Sequence, residues 1–401
     1  MHIHLYKLIW QVVQLAIGYN LVFPMLLFLL YPTARNKFKV NKTWNKVTEA
    51  DYGIIVTAYQ QTQSLPDVVA SLLKQDFSNF IIYIVADQCD VSNLNFDHPQ
   101  VVVLRPPQAL QSNIRSHFYA INHFVRPHSR LTIIDSDNLV HPAYLTEMNT
   151  YFTKGYQAVQ GLRAAKNLNT TYACLDAARD MYYHYYDGRL LFKIGSSATL
   201  SGSGMAFTTE LYQFCLDHLD IDGAGFDKVL QAEIVNYRLQ IAFARKAIVY
   251  DEKTMHPEQL VKQRARWINT WFRYGGFGVK LILRGLGNFS KNQVLFGMVL
   301  LRPPLFIFLI LSLFCMVANF WVNPAYNWLW LIAFASFIGS FFIALIQSKA
   351  DTRVYKALLG IPKFMFYQII SLFKMGKANE RSVATPHYYD ADIEKVMQKK
   401  A

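Results

Sequence analysis

The stretch Leu131-Thr132-Ile133-Ile134-Asp135-Ser136-Asp137 predicts a strand that ends in two carboxylates. Its first four residues are apolar or β-branched, which favours a buried strand. Side chains two residues apart in an extended chain point to the same side, so Asp135 and Asp137 can face one cation. Carboxylate oxygens are the ligands that Mg²⁺ and Mn²⁺ prefer. The alternative is that both aspartates are turn or cap residues, in which Asp is common.

Four short apolar, β-branched runs predict buried parallel strands at residues 53–58, 80–86, 101–104 and 131–134. Helical stretches lie between them at residues 64–75, with Ser64 as the predicted N-cap, and at residues 112–124. This alternation predicts an α/β fold with an open parallel sheet and helices on both faces. Ligands of such sheets bind beyond the carboxyl ends of the strands. Tyr59, Asp87 and the Asp135/Asp137 pair follow such ends, so we expect them on one edge.

The composition excludes a simple soluble globule and argues against a nucleic-acid-binding protein. The 401 residues are 53% hydrophobic and 15% aromatic, with a formal net charge of +13. Lys and Arg cluster beside apolar segments, and neither zinc-finger spacing nor a basic helix with heptads occurs. Anionic lipid and a diphosphate substrate are therefore the expected partners. The four cysteines have no Cys-x-x-Cys spacing, which predicts reduced thiols.

Three apolar stretches predict membrane spans, because a hydrocarbon core needs about 20 helical residues. They are residues 8–31, 303–321 and 326–346, and the last two predict a hairpin. Residues 267–286 and 354–373 mix aromatic, basic, Gly and Pro residues, which favours interfacial helices. Buried core helices are the alternative for both. A cleavable signal peptide is disfavoured for the first stretch, because its apolar part is too long and no cleavage site follows.

Basic residues flank the predicted spans on one side: Arg35, Lys37, Lys39, Lys42, Lys46, Arg302, Lys349 and Arg353. The positive-inside rule places them in the cytoplasm. We therefore expect a multi-pass protein of the cell (inner) membrane with a cytoplasmic catalytic domain. The predicted organisation is a transmembrane helix at 1–35, a catalytic domain at 51–266, interfacial helices at 267–302, a transmembrane hairpin at 303–348, and an interfacial helix with a cytosolic tail at 349–401.

Five motifs follow one another in the predicted cytosolic region: Ile54-Ile55-Val56-Thr57-Ala58-Tyr59, Val85-Ala86-Asp87-Gln88-Cys89-Asp90, Ile134-Asp135-Ser136-Asp137-Asn138, Leu200-Ser201-Gly202-Ser203-Gly204-Met205 and Gln263-Arg264-Ala265-Arg266-Trp267. In this order they resemble family 2 membrane glycosyltransferases, which include cellulose, hyaluronan and poly-N-acetylglucosamine synthases. The resemblance covers roughly residues 51–271. It implies a nucleotide-sugar-binding sheet of the GT-A type and inversion of the anomeric centre.

The resemblance also implies donor-binding roles. Tyr59 and Asp87 resemble the positions that hold a uridine base, with a strand-end cap as the alternative for Asp87. Asp135 would contact the nucleotide, and Asp137 would coordinate Mg²⁺ or Mn²⁺ on the diphosphate. A bound cation would act as a Lewis acid for the departing group.

Further positions are implied for the rest of the site. Gln263 and Arg266 would bind the donor, since a guanidinium suits bidentate phosphate contacts. Trp267 would offer an apolar face to the acceptor sugar, with Ser203 and Gly204 close to it. The alternatives are an amphipathic helix start near the membrane for residues 263–267 and a plain loop for residues 201–204.

Asp227 in Gly225-Phe226-Asp227 resembles the general base, which many relatives carry in Thr-Glu-Asp. A carboxylate within reach of the acceptor can take its proton. The following apolar residues have helical spacing, so helix capping is the alternative for Asp227. His117 is a second departure, because it stands where many relatives have a lysine. Arg163, Lys166 and Asn167 resemble site residues more loosely, and residues 181–186 predict a tyrosine-rich packing helix.

The sequence therefore predicts a membrane-embedded hexosyltransferase that adds sugar from a UDP-sugar to a growing polysaccharide. Transfer to a lipid acceptor without processivity is the alternative, and a catalytically silent binding subunit is a third hypothesis. Three spans are few for a complete channel, which leaves room for helper subunits or a homo-oligomer. The sugar, the linkage and the acceptor are not encoded in any motif identified above.

Overall fold

The computed structural model describes residues 2–34, 50–92, 94–219, 225–376, 378, 389 and 392–398. Within these residues eight strands form one sheet in the order β3-β2-β1-β4-β7-β6-β8-β5. The strands are β1 Tyr52–Tyr59, β2 Phe80–Asp87, β3 Val101–Leu104, β4 Arg130–Asp135, β5 Leu139–Val140, β6 Ala158–Ala165, β7 Met205–Thr208 and β8 Ile241–Asp251. All four predicted strands are present, each within two residues of its predicted bounds.

The sheet is mixed, so the prediction of a parallel sheet is wrong for part of it. Strands β1 to β4 are parallel where they pair, but β7 is antiparallel to both β4 and β6. Strand β5 is antiparallel to β8, whereas β6 and β8 are parallel. The chain enters β7 at the edge where β4 ends, so β7 has to run back across the sheet. β4, β6 and β8 therefore all end at the same edge as β1 and β2.

Sixteen α-helices lie in the described residues: α1 His2–Leu30, α2 Leu65–Leu73, α3 Asn113–Asn122, α4 Tyr144–Phe152, α5 Thr171–Tyr183, α6 Leu191–Lys193, α7 Thr209–Leu216, α8 Phe226–Asn236, α9 Pro257–Tyr274, α10 Gly276–Gly287, α11 Lys291–Leu301, α12 Leu305–Val322, α13 Asn327–Gln347, α14 Thr352–Ala357, α15 Ile361–Phe373 and α16 Ile393–Gln398. A π-helix, His184–Leu190, continues α5 through the tyrosine-rich stretch, where Tyr182, Tyr185 and Tyr186 are buried as predicted. The predicted helices at 64–75 and 112–124 correspond to α2 and α3. Ser64 occupies the N-cap position of α2, but its side chain makes no capping hydrogen bond.

Both faces of the sheet are covered, as predicted. Successive residues of a strand point to opposite faces, and accordingly Ile55 and Ile133 belong to one core while Ile54 and Ile134 belong to the other. The first core includes residues of α3, α7 and α8, and it continues into the apolar helices α1, α12 and α13. The second includes residues of α2, α4 and the short α16. One face of the sheet and the apolar helices thus share a hydrophobic core.

Four helical segments in the described residues are long and apolar enough to cross a membrane: Leu5–Leu30, Leu305–Val322, Pro324–Gln347 and Thr352–Phe373. The first three coincide with the predicted spans. Gln14 of α1 links these three helices by hydrogen bonds. Its Oε1 accepts from Asn319 Nδ2 of α12 at 2.6 Å and from Trp330 Nε1 of α13 at 2.8 Å. A 3₁₀ turn, Leu358–Gly360, interrupts the fourth segment. Its interfacial placement stays a prediction.

Two further sequence predictions concern boundaries. The predicted limit between residues 266 and 267 falls inside α9, so the Gln263–Trp267 motif lies on one continuous helix. The basic residues Arg35, Lys37, Lys39, Lys42 and Lys46 lie outside the described part of the chain. All four cysteines are free, as expected.

Candidate active site

The ends of β1, β2 and β4 bring three predicted site residues to one edge of the sheet. Tyr59 pairs in register with Asp87, and Thr57 pairs with Asp135. Tyr59 and Asp87 line the same cavity, whose other lining residues are Thr57, Ala58, Ser112, Asn113 and Ser116. Because both predicted nucleobase contacts open into this cavity, the structure brings together the pair that the sequence placed on separate strands.

The Asp87 carboxylate is oriented by the loop that precedes α3. Its two oxygens accept hydrogen bonds from the backbone N–H groups of Leu110, at 3.0 Å, and Gln111, at 2.8 Å. A carboxylate has about four acceptor positions, so capacity remains for a ligand donor. Gln60, Gln88 and Gln111 surround this region with positive φ angles of 59°, 53° and 49°. Such backbone strain in non-glycine residues is concentrated at functional sites.

The Asp135/Asp137 pair is held by the loop that leads into β7. The Ser203 hydroxyl accepts a hydrogen bond from the Asp135 backbone N–H at 3.0 Å and donates to Asn138 Oδ1 at 2.7 Å. The Asn138 amide in turn donates to Asp137 Oδ1 at 3.1 Å. Sequence reasoning placed Ser203 near the acceptor and missed Asn138. Ser203 therefore fixes the backbone of Asp135, and Asn138 holds the carboxylate of Asp137.

Gly204 is required by close packing at the same edge. Its backbone N–H donates to the Ile133 carbonyl at 2.9 Å, and its φ is +64°. A Cβ at this position would approach Val249 Cγ2 to 2.6 Å, which no real side chain allows. The loop therefore lies close against β4 and β8 because residue 204 is glycine.

A buried group of ion pairs adjoins this edge, and sequence reasoning missed most of it. Asp251, the last residue of β8, pairs with Arg163 at 2.8 Å and with Lys253 at 2.6 Å. Lys253 also contacts Asp180 at 2.5 Å. Burial opposes ionisation of Asp251, but Arg163 and Lys253 more than offset it and lower its pKa to about 2. The signal was present, because Asp251 follows an apolar run just as Asp135 does.

Lys166 and Asn167 lie in this buried region, next to the predicted metal residues. The Lys166 Nζ is 3.5 Å from the Asp137 backbone carbonyl, and the lysine is 5% exposed. The Asn167 side chain accepts from the Lys253 backbone N–H at 2.7 Å and donates to its carbonyl at 3.2 Å. Lys166 and Asn167, which resembled site residues only loosely in the sequence, thus lie against the residues that form the site.

Helix α9 presents Gln263, Arg266 and Trp267 from the other side of the site. Burial lowers the pKa of Arg266, and the charge of Asp135 opposes that shift, so the two groups are close enough to interact electrostatically. Gln263 Oε1 accepts a hydrogen bond from the Thr254 hydroxyl at 3.1 Å. Trp267 is 41% exposed. The predicted donor cation and the predicted acceptor platform are therefore adjacent residues of one helix.

Asp227 is the second residue of α8, next to the carboxyl end of α9. The N-cap of α8 is Gly225, with φ +108°, so Asp227 is not the capping residue. A Cβ on Gly225 would approach Tyr274 to 2.6 Å. The Asp227 carboxylate lies 3.6 Å from Lys228 Nζ, and its side chain is 16% exposed. The close approach of Gly225 to Tyr274 of α9 thus helps to set the position of the predicted base.

His117 is buried in the core and not in the donor cavity. Its Nδ1 forms a 2.7 Å hydrogen bond with the Tyr212 hydroxyl, and the residue is 1% exposed. Burial lowers the pKa of His117 to about 3. The position where many relatives have a lysine is therefore neutral here.

Comparison with known proteins places this site in a family. The sequence profile of Glycosyltransferase like family 2 matches residues 50–270, more than half of the chain. A mannosyltransferase, PcManGT from Pyrobaculum calidifontis, solved with GDP-Man and Mn²⁺, is similar in structure. It is 12% identical with a TM-score of 0.55, and the match covers 91% of this chain and 98% of that one. This identity shows a shared fold only.

S. aureus TarS residues 1–349, solved with UDP-GlcNAc, is a more distant match. It is 13% identical, with 82% of this chain and 90% of that chain covered and a TM-score of 0.42. No curated protein sequence matches the chain. Because the family profile spans the whole sheet and α9 as far as Thr270, the chain belongs to Glycosyltransferase like family 2 and is a glycosyltransferase with a GT-A-like fold.

Proposed function

We propose that the protein is a membrane-embedded, inverting glycosyltransferase that adds sugar from a UDP-sugar to a growing polysaccharide on the cytosolic face. The observation that carries the proposal is the position of Arg266. Its guanidinium on α9 interacts electrostatically with Asp135 at the end of β4, so a diphosphate bound there would meet both a carboxylate and a cation. The family match supports sugar transfer as the reaction.

Donor binding would use the edge of the sheet. Tyr59 and Asp87 would hold the base in their shared cavity, and Arg266 and Gln263 would contact the phosphates. A uracil base suits Asp87, because its ring N–H can donate to a carboxylate oxygen. The solved mannosyltransferase structure with GDP-Man supports a nucleoside diphosphate sugar as the donor.

The residues at the end of β4 fit Mg²⁺ or Mn²⁺. Among the described residues no group of three or more His, Cys, Asp or Glu side chains could hold a metal ion. Asp135 and Asp137 would therefore supply one or two ligands and leave the rest to phosphate and water, which is how Mg²⁺ is usually held. When bound, the cation neutralises charge on the departing diphosphate. The Mn²⁺ in the mannosyltransferase structure agrees with this chemistry.

Asp227 would take the proton from the acceptor hydroxyl. The N-cap of its helix, Gly225, packs against Tyr274 at the carboxyl end of α9. Trp267, which would support the acceptor sugar, lies about two turns earlier on α9. Attack from this side, opposite the diphosphate, inverts the anomeric centre. Asp227 on α8 would thus act on the acceptor hydroxyl, and Arg266 on α9 would act on the departing diphosphate.

Membrane embedding is supported by the shared core. Residues of α1, α12 and α13 belong to the same hydrophobic cluster as residues of β1, β4 and β7. Large apolar side chains remain exposed on these helices, including Leu15, Phe314, Trp321 and Trp328. Exposed apolar surface of this extent is typical of contact with lipid. The site would therefore lie beside the membrane, where a growing chain could pass into it.

The test uses purified protein in nanodiscs with Mg²⁺ or Mn²⁺ and a panel of UDP-sugars and GDP-mannose. UDP or GDP release and product size are read together. We expect release from one UDP-sugar and a product of high mass. A product of one sugar on lipid would favour the nonprocessive alternative. Release from GDP-mannose alone would overturn the UDP assignment, and no release under any condition would contradict the proposal as a whole.

A further inference from the structure

Two arginines lie over the indole ring of Trp267. The guanidinium carbon of Arg264 is 3.9 Å from the ring centroid, and that of Arg179 is 4.1 Å away. Arg264 is one turn before Trp267 on α9, so its contact is local. Arg179 comes from α5, a different helix. Contacts of a guanidinium with an indole at this distance are attractive, and more so when the cation is desolvated.

Both arginines are anchored by aspartates of α5. Arg264 pairs with Asp176, which is 3% exposed. Arg179 lies 3.3 Å from the same Asp176 carboxylate and also pairs with Asp180. Buried charges need partners of this kind, because an unpaired one is costly. The ion pairs with Asp176 and Asp180 therefore hold the two guanidinium groups against the Trp267 ring. Moving either group away from the ring would break its ion pairs.

Further polar contacts connect these aspartates of α5 to the edge of the sheet that carries the predicted metal ligands. Asp180 contacts Lys253 at 2.5 Å, and Lys253 contacts Asp251 at 2.6 Å. The Asn138 side chain lies 3.4 Å from Asp251 Oδ1 and 3.1 Å from Asp137 Oδ1. A continuous series of polar contacts thus joins the predicted metal ligand to the tryptophan of α9.

We infer that Arg179 is a positioning residue for acceptor binding, which holds the Trp267 indole in the orientation that receives the acceptor sugar. The inference rests on the proposed function, since that assigns Trp267 to the acceptor. A flexible indole would lose side-chain entropy when a sugar packs against it, whereas a ring already fixed would not. With 41% of Trp267 exposed, part of its surface remains available to a ligand.

The test compares Arg179→Met with Arg179→Lys, Arg245→Met and Trp267→Phe. Arg245 is an exposed residue of β8, so its variant is a matched loss of one arginine outside the site. Arg179→Lys keeps a charge opposite the two aspartates but loses the planar group. If Arg179→Met fails to fold, Arg179→Lys still tests the loss of the guanidinium group. Unfolding midpoints identify any variant that is merely unstable.

The first readout is the fluorescence of Trp267. It is obtained by subtracting the emission of Trp267→Phe from that of the protein that keeps Trp267. We expect this emission to shift in both Arg179 variants and to stay unchanged in Arg245→Met. The second readout is kinetic, with short β-linked oligosaccharides of glucose or N-acetylglucosamine as acceptors. The acceptor KM should rise about tenfold in Arg179→Met, as loss of a desolvated cation–π contact implies. Donor affinity and donor hydrolysis should stay unchanged.

Two results would overturn the inference: unshifted Trp267 emission in both Arg179 variants, or lost activity that appears only in kcat and follows the unfolding midpoint. Absence of transfer from every nucleotide sugar would instead contradict the proposed function. The fluorescence would in that case still decide whether Arg179 positions Trp267.

Discussion

The imidazole of His117 and the ring of Phe226 are in contact, with centroids 5.0 Å apart and planes inclined by 68°. These are the two positions at which the chain departs from the motifs of many relatives, which have lysine and glutamate there. Both departures therefore lie in one contact. The contact is neutral and aromatic, and Phe226 is the first residue of the helix that carries Asp227.

This contact predicts that the two positions are energetically coupled. His117→Lys alone should destabilise the fold by about 3–5 kcal/mol, because it leaves a buried charge without a partner. Phe226→Glu alone should do so for the same reason. The double variant should be more stable than the sum of the two losses by at least about 1 kcal/mol, since the new charges can pair. Unfolding in detergent measures all three.

His117→Gln is the neutral control and should cost less than either charged variant. Strict additivity in the double variant would contradict the coupling.

Acid should destabilise the protein in two pH windows. The pKa of His117 is about 3 in the fold against 6.5 for an ordinary histidine, so the unfolded state binds the proton first. Stability is therefore lost as pH falls from about 6.5 towards 3. The pKa of Asp251 is about 2 against an ordinary 3.8, so its stabilising contribution, about 2 kcal/mol, is lost as pH falls from about 4 towards 2.

Unfolding midpoints between pH 7 and pH 4.5 test the first window. His117→Gln should show a shallower decline than the wild type over this range. The slope is not expected to vanish, because burial also lowers the pKa of His184, to about 4. An identical slope in both proteins would show that His117 does not titrate as its burial implies.

Local patterns in the sequence were sufficient to predict the half of the site that lies at the ends of β1, β2 and β4. Tyr59, Asp87 and Asp135 each follow an apolar run, and parallel pairing of those strands brings them to one edge. The order of strands β7 and β8 could not be predicted in the same way. Strand β7, Met205–Thr208, lacks the run of β-branched residues that predicted β3, and its direction depends on where the preceding loop enters the sheet.

The ion pairs beneath Trp267 were beyond prediction for a different reason. Asp176 and Arg264 are 88 residues apart, and nothing in either local sequence selects the other as partner. In the sequence, Arg179 and Asp180 look like ordinary charged residues on a helix surface. In the structure, the packing of α5 against α9 buries them. Local patterns thus predict strand ends, whereas pairings between distant helices depend on the assembled core.

The proposed topology predicts protection of the catalytic domain in intact cells. Basic residues flank the apolar stretches in the sequence, and the positive-inside rule is the basis for proposing that residues 51–250 are cytoplasmic. Protease added outside sealed cells should leave this region intact, and permeabilised cells should show cleavage. Fragments cut within residues 51–250 in sealed cells would reverse the orientation.

Loss of the Asp137 carboxylate should abolish transfer. Asp137→Ala removes a predicted metal ligand, and EDTA should have the same effect on the wild type. Asp76→Ala is the control, because Asp76 is exposed and lies ahead of β2, at the opposite edge of the sheet. UDP release measures turnover, and binding of Mn²⁺ with UDP measures the site directly. Full activity in EDTA would remove the metal from the proposed mechanism.

Asp227→Asn separates a general base from a structural residue. The asparagine keeps the shape of the side chain but cannot accept the acceptor proton, and loss of a general base usually reduces the rate by about 10²–10⁴. Because Gly225 is the N-cap of α8, the structural losses expected are the 3.6 Å ion pair with the partly exposed Lys228 and a negative charge in the first turn of the helix. The latter is worth about 0.3–1 kcal/mol. We therefore expect a folded protein with unchanged UDP-sugar affinity and transfer reduced at least about a hundredfold.

Glu210→Gln is the matched control for this variant. Glu210 is an exposed carboxylate in the first turn of α7, which follows β7 and so lies at the edge of the sheet away from Asp135. Its substitution removes the same kind of helix-terminal charge without touching the site. It should lower stability by a similar amount and leave transfer unchanged. Near-normal transfer by Asp227→Asn, or an equal loss in both variants, would return Asp227 to a structural role.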